Sequence, residues 1–386
     1  MKKVLLTAMA LLTIASASVF GMYGANSDWI DFLVHGNQLR ARMQQFGFVL
    51  GNDMIKGTVG FRSEGTTLGA IMNTTTVTPN GSATKQFFDF IPTVSAGIGY
   101  TSDVFGIGIG YNYTYRHNKV PVSTKNGYGL SIHTPVLAIN AINDSLRIVV
   151  PVQIAAKNGD IANSTDKAKY MGVSMDPQIR YYTGIEAFNE IRLYVYYGMN
   201  EYTSQAGTKE TGSSFGFELR PYFGATVGDV ALKPFVKIGY GTALDAKGKV
   251  GIASTRISSE SLVTYYTPAA GETGAYDSNP WELRIIPTLG LSANSDIVSL
   301  YLEAGVGYKA NNTGYKLNNG VNGVTHNLAW SSYGEIYITP VKDLEWYFEA
   351  EIGNYTMDNT TGVITGGSQN VQFNASTGIT WYLPAL

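Results

Sequence analysis

Segment after segment of this chain alternates apolar residues with polar or small ones at a strict period of two. In FGIGIGYNYTYRH, Phe105 to His117, the apolar phase is Phe105, Ile107, Ile109, Tyr111, Tyr113 and Tyr115. The other phase is Gly106, Gly108, Gly110, Asn112, Thr114 and Arg116. A period of two describes a strand with two chemically different faces. The G-I-G-I-G core resembles a phosphate-cradling loop, but such a loop needs a third glycine where Tyr111 stands and a helix starting where the alternation continues. The nucleotide reading fails. The same pattern runs through Val298–Lys309, Leu344–Gly353 and Phe215–Gly224, and Ile191, Leu193, Val195 and Tyr197 form one uninterrupted apolar stripe. Each segment is about ten residues, the length a tilted strand needs to cross a hydrocarbon layer.

Composition explains where such strands can live. Charged residues are only 15% of the chain, against the usual quarter, with 44 Gly, 26 Tyr and 16 Phe. Mean hydropathy is nonetheless −0.02. A barrel with an apolar outside, a polar inside and aromatic girdles averages to this value without long apolar runs. A soluble β-sandwich would solvate its outer face with Lys, Glu and Thr, and its many apolar strands would leave edges that closure into a barrel removes. After the N-terminus no apolar run is long enough for a helical span. The net charge of −2 gives no basic surface for nucleic acid.

Residues 1–21, MKKVLLTAMALLTIASASVFG, read as a cleaved secretory signal peptide: Lys2 and Lys3, a short apolar stretch, then small residues at Ala15, Ala17 and Gly21. The chain has no Cys, so neither a lipid-anchored terminus nor a disulfide framework is expected. Residues 22–37 form an N-terminal segment. Within it, Asp28–Leu33 (DWIDFL) has Trp29, Phe32 and Leu33 at helical spacing, which fits a short amphipathic helix lying against the barrel or in its lumen as well as a frayed first strand. Residues 38–386 are assigned to the barrel.

Connections alternate in length. Short turns read at TSD (101–103), INDS (142–145), FNE (188–190), GD (228–229), NSD (294–296) and VKD (341–343). Long, Asn/Thr/Gly/Ser-rich loops read at 65–85, 118–126, 158–167, 204–213, 243–279, 311–327 and 358–370. The expected fold is therefore all-β: a transmembrane antiparallel up-and-down β-barrel with short periplasmic turns and long extracellular loops. The count is about 14 strands, or 16 if Gln38–Leu50 enters the wall, because single-chain bacterial barrels have even numbers. The last strand, VQFNASTGITWYL, lies at the extreme C-terminus, as in proteins handed to the outer-membrane assembly machinery, although the chain ends Pro384-Ala385-Leu386 and not on an aromatic residue.

With that architecture set, MKKVLLTAMALLTIASASVFGMYG followed by WIDFLVHGNQLRARMQQFGFVLGNDMIKGTVGFR (Trp29 to Arg62) resembles the variable surface proteins of Brachyspira (Serpulina) spirochaetes. The resemblance implies an abundant surface-exposed outer-membrane antigen, one of several related copies whose exposed regions differ. It implies host antibodies or host surface molecules as partners of the extracellular loops, and it supplies no catalytic or ligand residues to carry over.

No chemistry-bearing motif competes with that reading. His35, His117, His133 and His326 are scattered without HxH or HxxxH spacing, so no metal, cofactor or catalytic residue is assigned and no enzyme is expected. The informative residues are charges on the phase opposite the apolar one. From Arg147 to Lys237 that phase carries Arg147, Arg180, Arg192, Arg220, Lys233 and Lys237; from Glu282 to Glu351 it carries Glu282, Glu303, Glu335, Glu345, Glu349 and Glu351. Asp176, Glu218 and Arg284 break the rule. Because consecutive strands are neighbours, cations are expected on one wall of the lumen and carboxylates on the opposite wall. In an open lumen these charges would put a transverse field across a diffusion pore for small polar solutes, the alternative to a display function. In a closed lumen they would pair. Lipid of the outer membrane is the expected surrounding in both readings, and association into homo-oligomers is compatible with both.

Overall fold

A computed structural model of the chain describes residues 33, 37–42, 45–63, 73–77, 85–89, 92–119, 127–158, 169–203, 207, 209–249, 275–316, 322–354 and 371–384. The strands are β1 Gln38–Arg42, β2 Gln45–Gly51, β3 Ile55–Ser63, β4 Asn73–Val77, β5 Lys85–Asp89, β6 Pro92–Thr101 and β7 Gly106–Lys119. They continue with β8 Gly127–Ala141, β9 Leu146–Asn158, β10 Lys169–Met175, β11 Gln178–Tyr182, β12 Phe188–Thr203 and β13 Lys209–Phe223. The remainder are β14 Ala225–Val227, β15 Val230–Ala243, β16 Trp281–Asn294, β17 Val298–Lys316, β18 Asn322–Val341, β19 Leu344–Gly353 and β20 Gln372–Tyr382.

Eighteen of these strands form one antiparallel sheet, and β4 and β5 make a separate hairpin. Within the sheet β10 and β11 are two halves of one stave, both lying between β9 and β12. They are divided near Pro177, which has no N–H to give to a ladder. The strands β13 and β14 are likewise halves of one stave against β15, separated at Gly224. Sixteen staves result, each paired to the next in sequence. The cylinder closes where β1 pairs with β20, from Gln38↔Tyr382 to Arg42↔Gly378. Closure gives every edge a partner, which a wall facing lipid requires because an unsatisfied backbone group there costs several kcal/mol.

The larger of the two expected strand counts is thus the right one, and β1 and β2 are the staves that make the difference. Three expected connections move, one because β13 already begins at Lys209, inside the expected loop at 204–213. FNE (188–190) is the start of β12, and the turn precedes it at residues 183–187. The expected loop at 311–327 is mostly strand, since β17 runs to Lys316 and β18 begins at Asn322. Asn311 is accordingly buried in the barrel, accepting a 2.6 Å hydrogen bond from Thr325 Oγ1. The signal-peptide stretch lies outside the described residues, as do residues 250–274 of the long insertion and all of DWIDFL except Leu33.

Burial separates the two faces. The outward phase of β6 and β7 exposes Val94, Ile98, Ile107, Ile109 and Tyr111, with Ile109 60% exposed. Across the barrel Leu289, Leu302, Val306 and Leu328 are exposed in the same way. An apolar belt this continuous is a lipid-facing surface. The inward phase is polar and buried: Thr93, Ser95, Asn112 and Thr114 on one side, Arg180, Arg192, Lys237 and Glu335 on the other. The stretch FGIGIGYNYTYRH is one such stave, with isoleucines and Tyr111 outward and Gly106, Gly108, Asn112 and Thr114 inward.

Candidate functional site

Two regions carry side-chain chemistry: the inner face from β9 to β19, and the rim at the long-loop end. On the inner face, Arg147 of β9, Arg180 of β11, Arg192 of β12 and Arg220 of β13 stand opposite one another in register, making a row of four guanidinium groups across adjacent staves. Like charges directly opposite repel, and the row persists because carboxylates sit beside it. Glu190, two residues before Arg192 and therefore on the same face, accepts from Arg192 Nε at 2.6 Å and Nη2 at 3.1 Å. The Lys233 ammonium is 3.5 Å from the same carboxylate.

A second chain of charges repeats the device. Glu218 pairs with Arg220, two residues on, and with Arg284 of β16 at 3.8 Å. The Arg284 guanidinium reaches Glu282 at 3.3 Å, and Glu282 holds Lys309 of β17 at 3.0 Å. Lys237 lies 3.8 Å from Glu303, which also accepts from Tyr301 Oη, and Tyr333 Oη donates to Glu335 in the same i, i+2 arrangement. Glu335 and Glu349 face each other in register, and Ser376 Oγ donates to Glu349 at 2.9 Å. At the short-turn end Arg147 binds Asp144 at 2.6 Å and lies over Tyr182.

Aromatic rings fill the spaces between the charges. The Arg192 guanidinium lies 4.6 Å from the centre of the Tyr222 ring, whose other neighbours are Lys233 at 5.1 Å and the Phe235 ring, stacked at 4.5 Å. Arg220 lies 4.7 Å from the Tyr194 ring. Ring and guanidinium attract through the ring quadrupole, more strongly where water is excluded. From β12 to β17 the lining is thus a set of paired charges interleaved with rings.

All twelve charged residues expected from the sequence stand on these strands, but their grouping differs from the expected one. Arg147, Arg180, Arg192, Arg220, Lys233 and Lys237 occupy the arc β9 to β15; Glu282, Glu303, Glu335, Glu345, Glu349 and Glu351 occupy β16 to β19. In the stave order these arcs abut and do not lie opposite each other, because the chain runs directly from one into the next. Glu218 and Arg284, exceptions in the sequence, form one pair that joins the arcs, and Lys237 with Glu303 forms another. Glu190 was missed because FNE reads as a turn. The signal that finds it is a short repeat, EIR at 190–192 and ELR at 218–220 and 282–284, which puts an acid and an arginine on one face of three different staves. Arg40, Lys56 and Arg62, on β1 and β3, are further buried cations outside both arcs.

The histidines serve no centre of their own among the described residues. His326 and His133 belong to the outward face, where the hydroxyls of Tyr308 (2.6 Å) and Tyr111 hydrogen-bond to their Nδ1 atoms. No group of three or more His, Cys, Asp or Glu with metal-holding geometry occurs among the described residues.

At the long-loop end the two described ends of the insertion between β15 and β16, residues 244–249 and 275–280, are tied to each other and to the rim. Asp245 accepts from the Ser213 N–H at 2.9 Å and from Lys249 Nζ at 2.7 Å, while Lys249 also donates to the Thr211 carbonyl at 3.0 Å. Asn279 accepts from the Ala246 and Lys247 amides and donates to the Leu244 carbonyl at 3.2 Å. Tyr276 stacks on Tyr315 at 4.3 Å. Gly314 sits at φ +85° beside them, where a Cβ would meet Ser278 O at 2.6 Å. For Asp245, partial burial disfavours the charge, but the Lys249 and Ser213 hydrogen bonds and the Lys249 charge outweigh it and hold the carboxyl below its ordinary value.

The profile of the Serpulina hyodysenteriae variable surface proteins matches residues 2–382. The chain belongs to that family. Among curated protein sequences none matches it. In fold it is similar to a bacterial polysaccharide outer membrane secretin at 11% identity and TM-score 0.47, covering 90% of this chain and 99% of that one. It is similar also to the translocator domain of the autotransporter NalP from Neisseria meningitidis, at 14% identity and TM-score 0.33 over 93% and 92% of the two chains. The FrpB iron transporter of Neisseria meningitidis (F3-3 variant) is a third, at 9% identity and TM-score 0.42 over 91% and 68%. A closed barrel with an apolar belt, in a family of surface proteins, is an outer-membrane β-barrel.

Proposed function

We propose that this variable surface protein displays its long loops outside the cell as a surface antigen, meeting host antibodies or host surface molecules, and that loop variation changes the epitopes while the wall stays constant. The observation that carries this reading is the division between the two ends of the barrel. At one end the connections are tight, as at residues 142–145, 228–229 and 342–343; at the other they are long, and the ends of the largest are clamped at Asp245, Lys249 and Asn279. A loop whose base is clamped to the wall can change in sequence without disturbing the staves beneath. In this reading residues 1–21 are removed on export, and the assembly machinery inserts the barrel with its tight turns in the periplasm.

The alternative, a diffusion porin with a charge-divided lumen, needs inner charges that meet water. Arg180 and Glu335 are each 1% exposed and the neighbouring charges are paired side by side, which favours display. Trypsin treatment of intact cells tests the proposal. Lys125, Lys167 and Arg256 lie in long connections and are expected to be cut, whereas Lys342, in a tight turn, is expected to survive until cells are lysed. Cleavage at Lys342 in intact cells with the three loop sites untouched would invert the proposed orientation, and protection of all four sites would end the display reading.

A further inference from the structure

The apolar outer face keeps a fixed height above the tight turns. On staves that rise from such turns, a tyrosine stands ten residues beyond the first apolar residue of the outward phase: Phe105 and Tyr115, Val230 and Tyr240, Val298 and Tyr308. Ten residues at about 3.4 Å each, tilted by about 40°, rise roughly 26 Å, which matches the apolar band of about 25 Å on outer-membrane barrels. A tyrosine at the top of that interval keeps its ring in apolar matter and its hydroxyl among the headgroups. The Tyr308 hydroxyl has a partner there, His326 Nδ1 at 2.6 Å.

Above the tyrosines the outer face turns ionic. In the apolar phase of β12, Met199 is followed by Glu201; on β13, Lys209 shares the phase of Phe215. Glu201 and Lys209 pair at 2.6 Å with side chains 46% and 60% exposed. Charges this open on the outer face lie in water, because lipid would penalise them. The 19-residue β17 and the 20-residue β18 also run past the level of Tyr308. The hydrocarbon layer is thus bounded from above, and its full thickness reaches down to the turns themselves.

The turns suit that position. Each described tight turn carries an acid within two residues of an exposed aliphatic side chain: Asp53 with Met54, Asp103 with Val104, Asp296 with Ile297, and the same pairing at residues 142–144, 185–186, 227–229 and 341–343. Val104 is 62% exposed, as open as Ile109 in the lipid-facing belt. One exposed aliphatic residue needs no explanation, but its recurrence at every described tight turn, continuous with the belt, marks an interaction surface.

We propose that the tight turns form a lipid-anchoring ring. Their aliphatic side chains sit among the acyl chains of the leaflet on their side, each neighbouring acid stays in water at the headgroups, and the tops of β12–β13 and β17–β18 stand clear of the bilayer. An amphipathic turn of this kind fixes the depth of the barrel, since raising it strips the aliphatics from lipid and lowering it immerses the acids. The ring concerns depth and not what the loops meet, so its failure would leave the display reading untouched.

Single cysteines in the otherwise Cys-free chain, carrying a nitrobenzoxadiazole fluorophore, test the ring in vesicles of palmitoyl-oleoyl phosphatidylcholine. Labels at Met54→Cys, Val104→Cys and Ile297→Cys are expected to be quenched several-fold more by lipid with a nitroxide high on its acyl chain than by iodide on both sides of the vesicle. Lys209→Cys is expected to show the reverse. Iodide quenching at the turns as strong as at Lys209→Cys would overturn the proposal. The Met54→Asp/Val104→Asp/Ile297→Asp variant is expected to insert into vesicles several-fold more slowly than the wild type while folding normally in detergent micelles, and unchanged insertion would also overturn it. Should that variant fail to fold in micelles, as heat-dependent gel mobility reports, the quenching of the single-cysteine proteins decides.

Discussion

The arcs β12–β17 and β3–β8 belong to one closed sheet, yet they build its interior in opposite ways. The first packs Glu190, Arg192, Glu218, Arg220, Arg284 and Tyr222 against one another, so that each ion meets a counter-ion within the wall. The second offers Thr, Ser, Gly and Asn, with Leu33 buried among Val49, Val136, Ala138 and Val149. A barrel wall specifies only that alternate residues point inward. Whether those inward residues are ions and rings or small neutral groups is decided residue by residue, and this molecule uses both.

The contrast can be broken most forcefully at Glu218. Replacing it with Gln leaves Arg220 and Arg284 without their shared carboxylate, and removing one partner of a buried ion pair destabilises by about 3–5 kcal/mol. Thr93→Val on the opposite arc removes one neutral hydrogen bond, to Thr114 at 2.7 Å, and is expected to lose only about 1 kcal/mol. Urea titration of both variants in lipid vesicles measures the difference; equal losses would mean that the ionic arc is no more tightly coupled than the small-residue arc. The outward face gives the next effect. Ile109→Arg places a charge against lipid and is expected to cost about 2–4 kcal/mol near the midplane in the same titration.

How much of this was legible in the sequence follows from what each feature depends on. Alternation is local, so the faces of the stave at Gly106–Lys119 could be read from FGIGIGYNYTYRH alone, and closure followed from many such staves with apolar outer faces. The short β1–β2 hairpin was legible only conditionally, because five and seven residues are too few for an alternating pattern to stand out. The cations and carboxylates were found by phase, but their relation was misjudged. Register decides which charges meet, and register depends on turn lengths such as the one that begins at Thr183 and releases Glu190 into β12. Leu33 was legible only as one apolar residue of DWIDFL at helical spacing; which staves it meets, Val49 of β2 and Val136, Ala138 and Val149 of β8 and β9, depends on closure of the barrel and leaves no local sign.

Smaller effects sharpen the account at the rim. Gly314→Ala forces a Cβ into a left-handed position 2.6 Å from Ser278 O and is expected to cost about 1–3 kcal/mol locally. It should appear as faster tryptic cleavage at Arg256 relative to the wild type, with global urea stability nearly unchanged. The smallest expected effect is the pH response of the Asp245 clamp. Its carboxyl is held below the ordinary value in the folded protein, so its contribution is complete above the unfolded pKa of about 4 and is lost as pH falls through the lower folded value. Cleavage at Arg256 by an acid-active protease preceded by limited acid exposure should therefore rise at low pH, and Asp245→Asn should flatten that dependence.

The central claim is that odd positions of the stave beginning at Gly106 touch lipid while even positions face the lumen. Single cysteines at 107, 108, 109, 111, 112 and 114, spin-labelled in the otherwise Cys-free chain and reconstituted in vesicles, test it directly. The account expects accessibility to lipid-soluble oxygen to be high at 107, 109 and 111 and low at 108, 112 and 114. Uniform accessibility, or an alternation of the opposite phase, would contradict it.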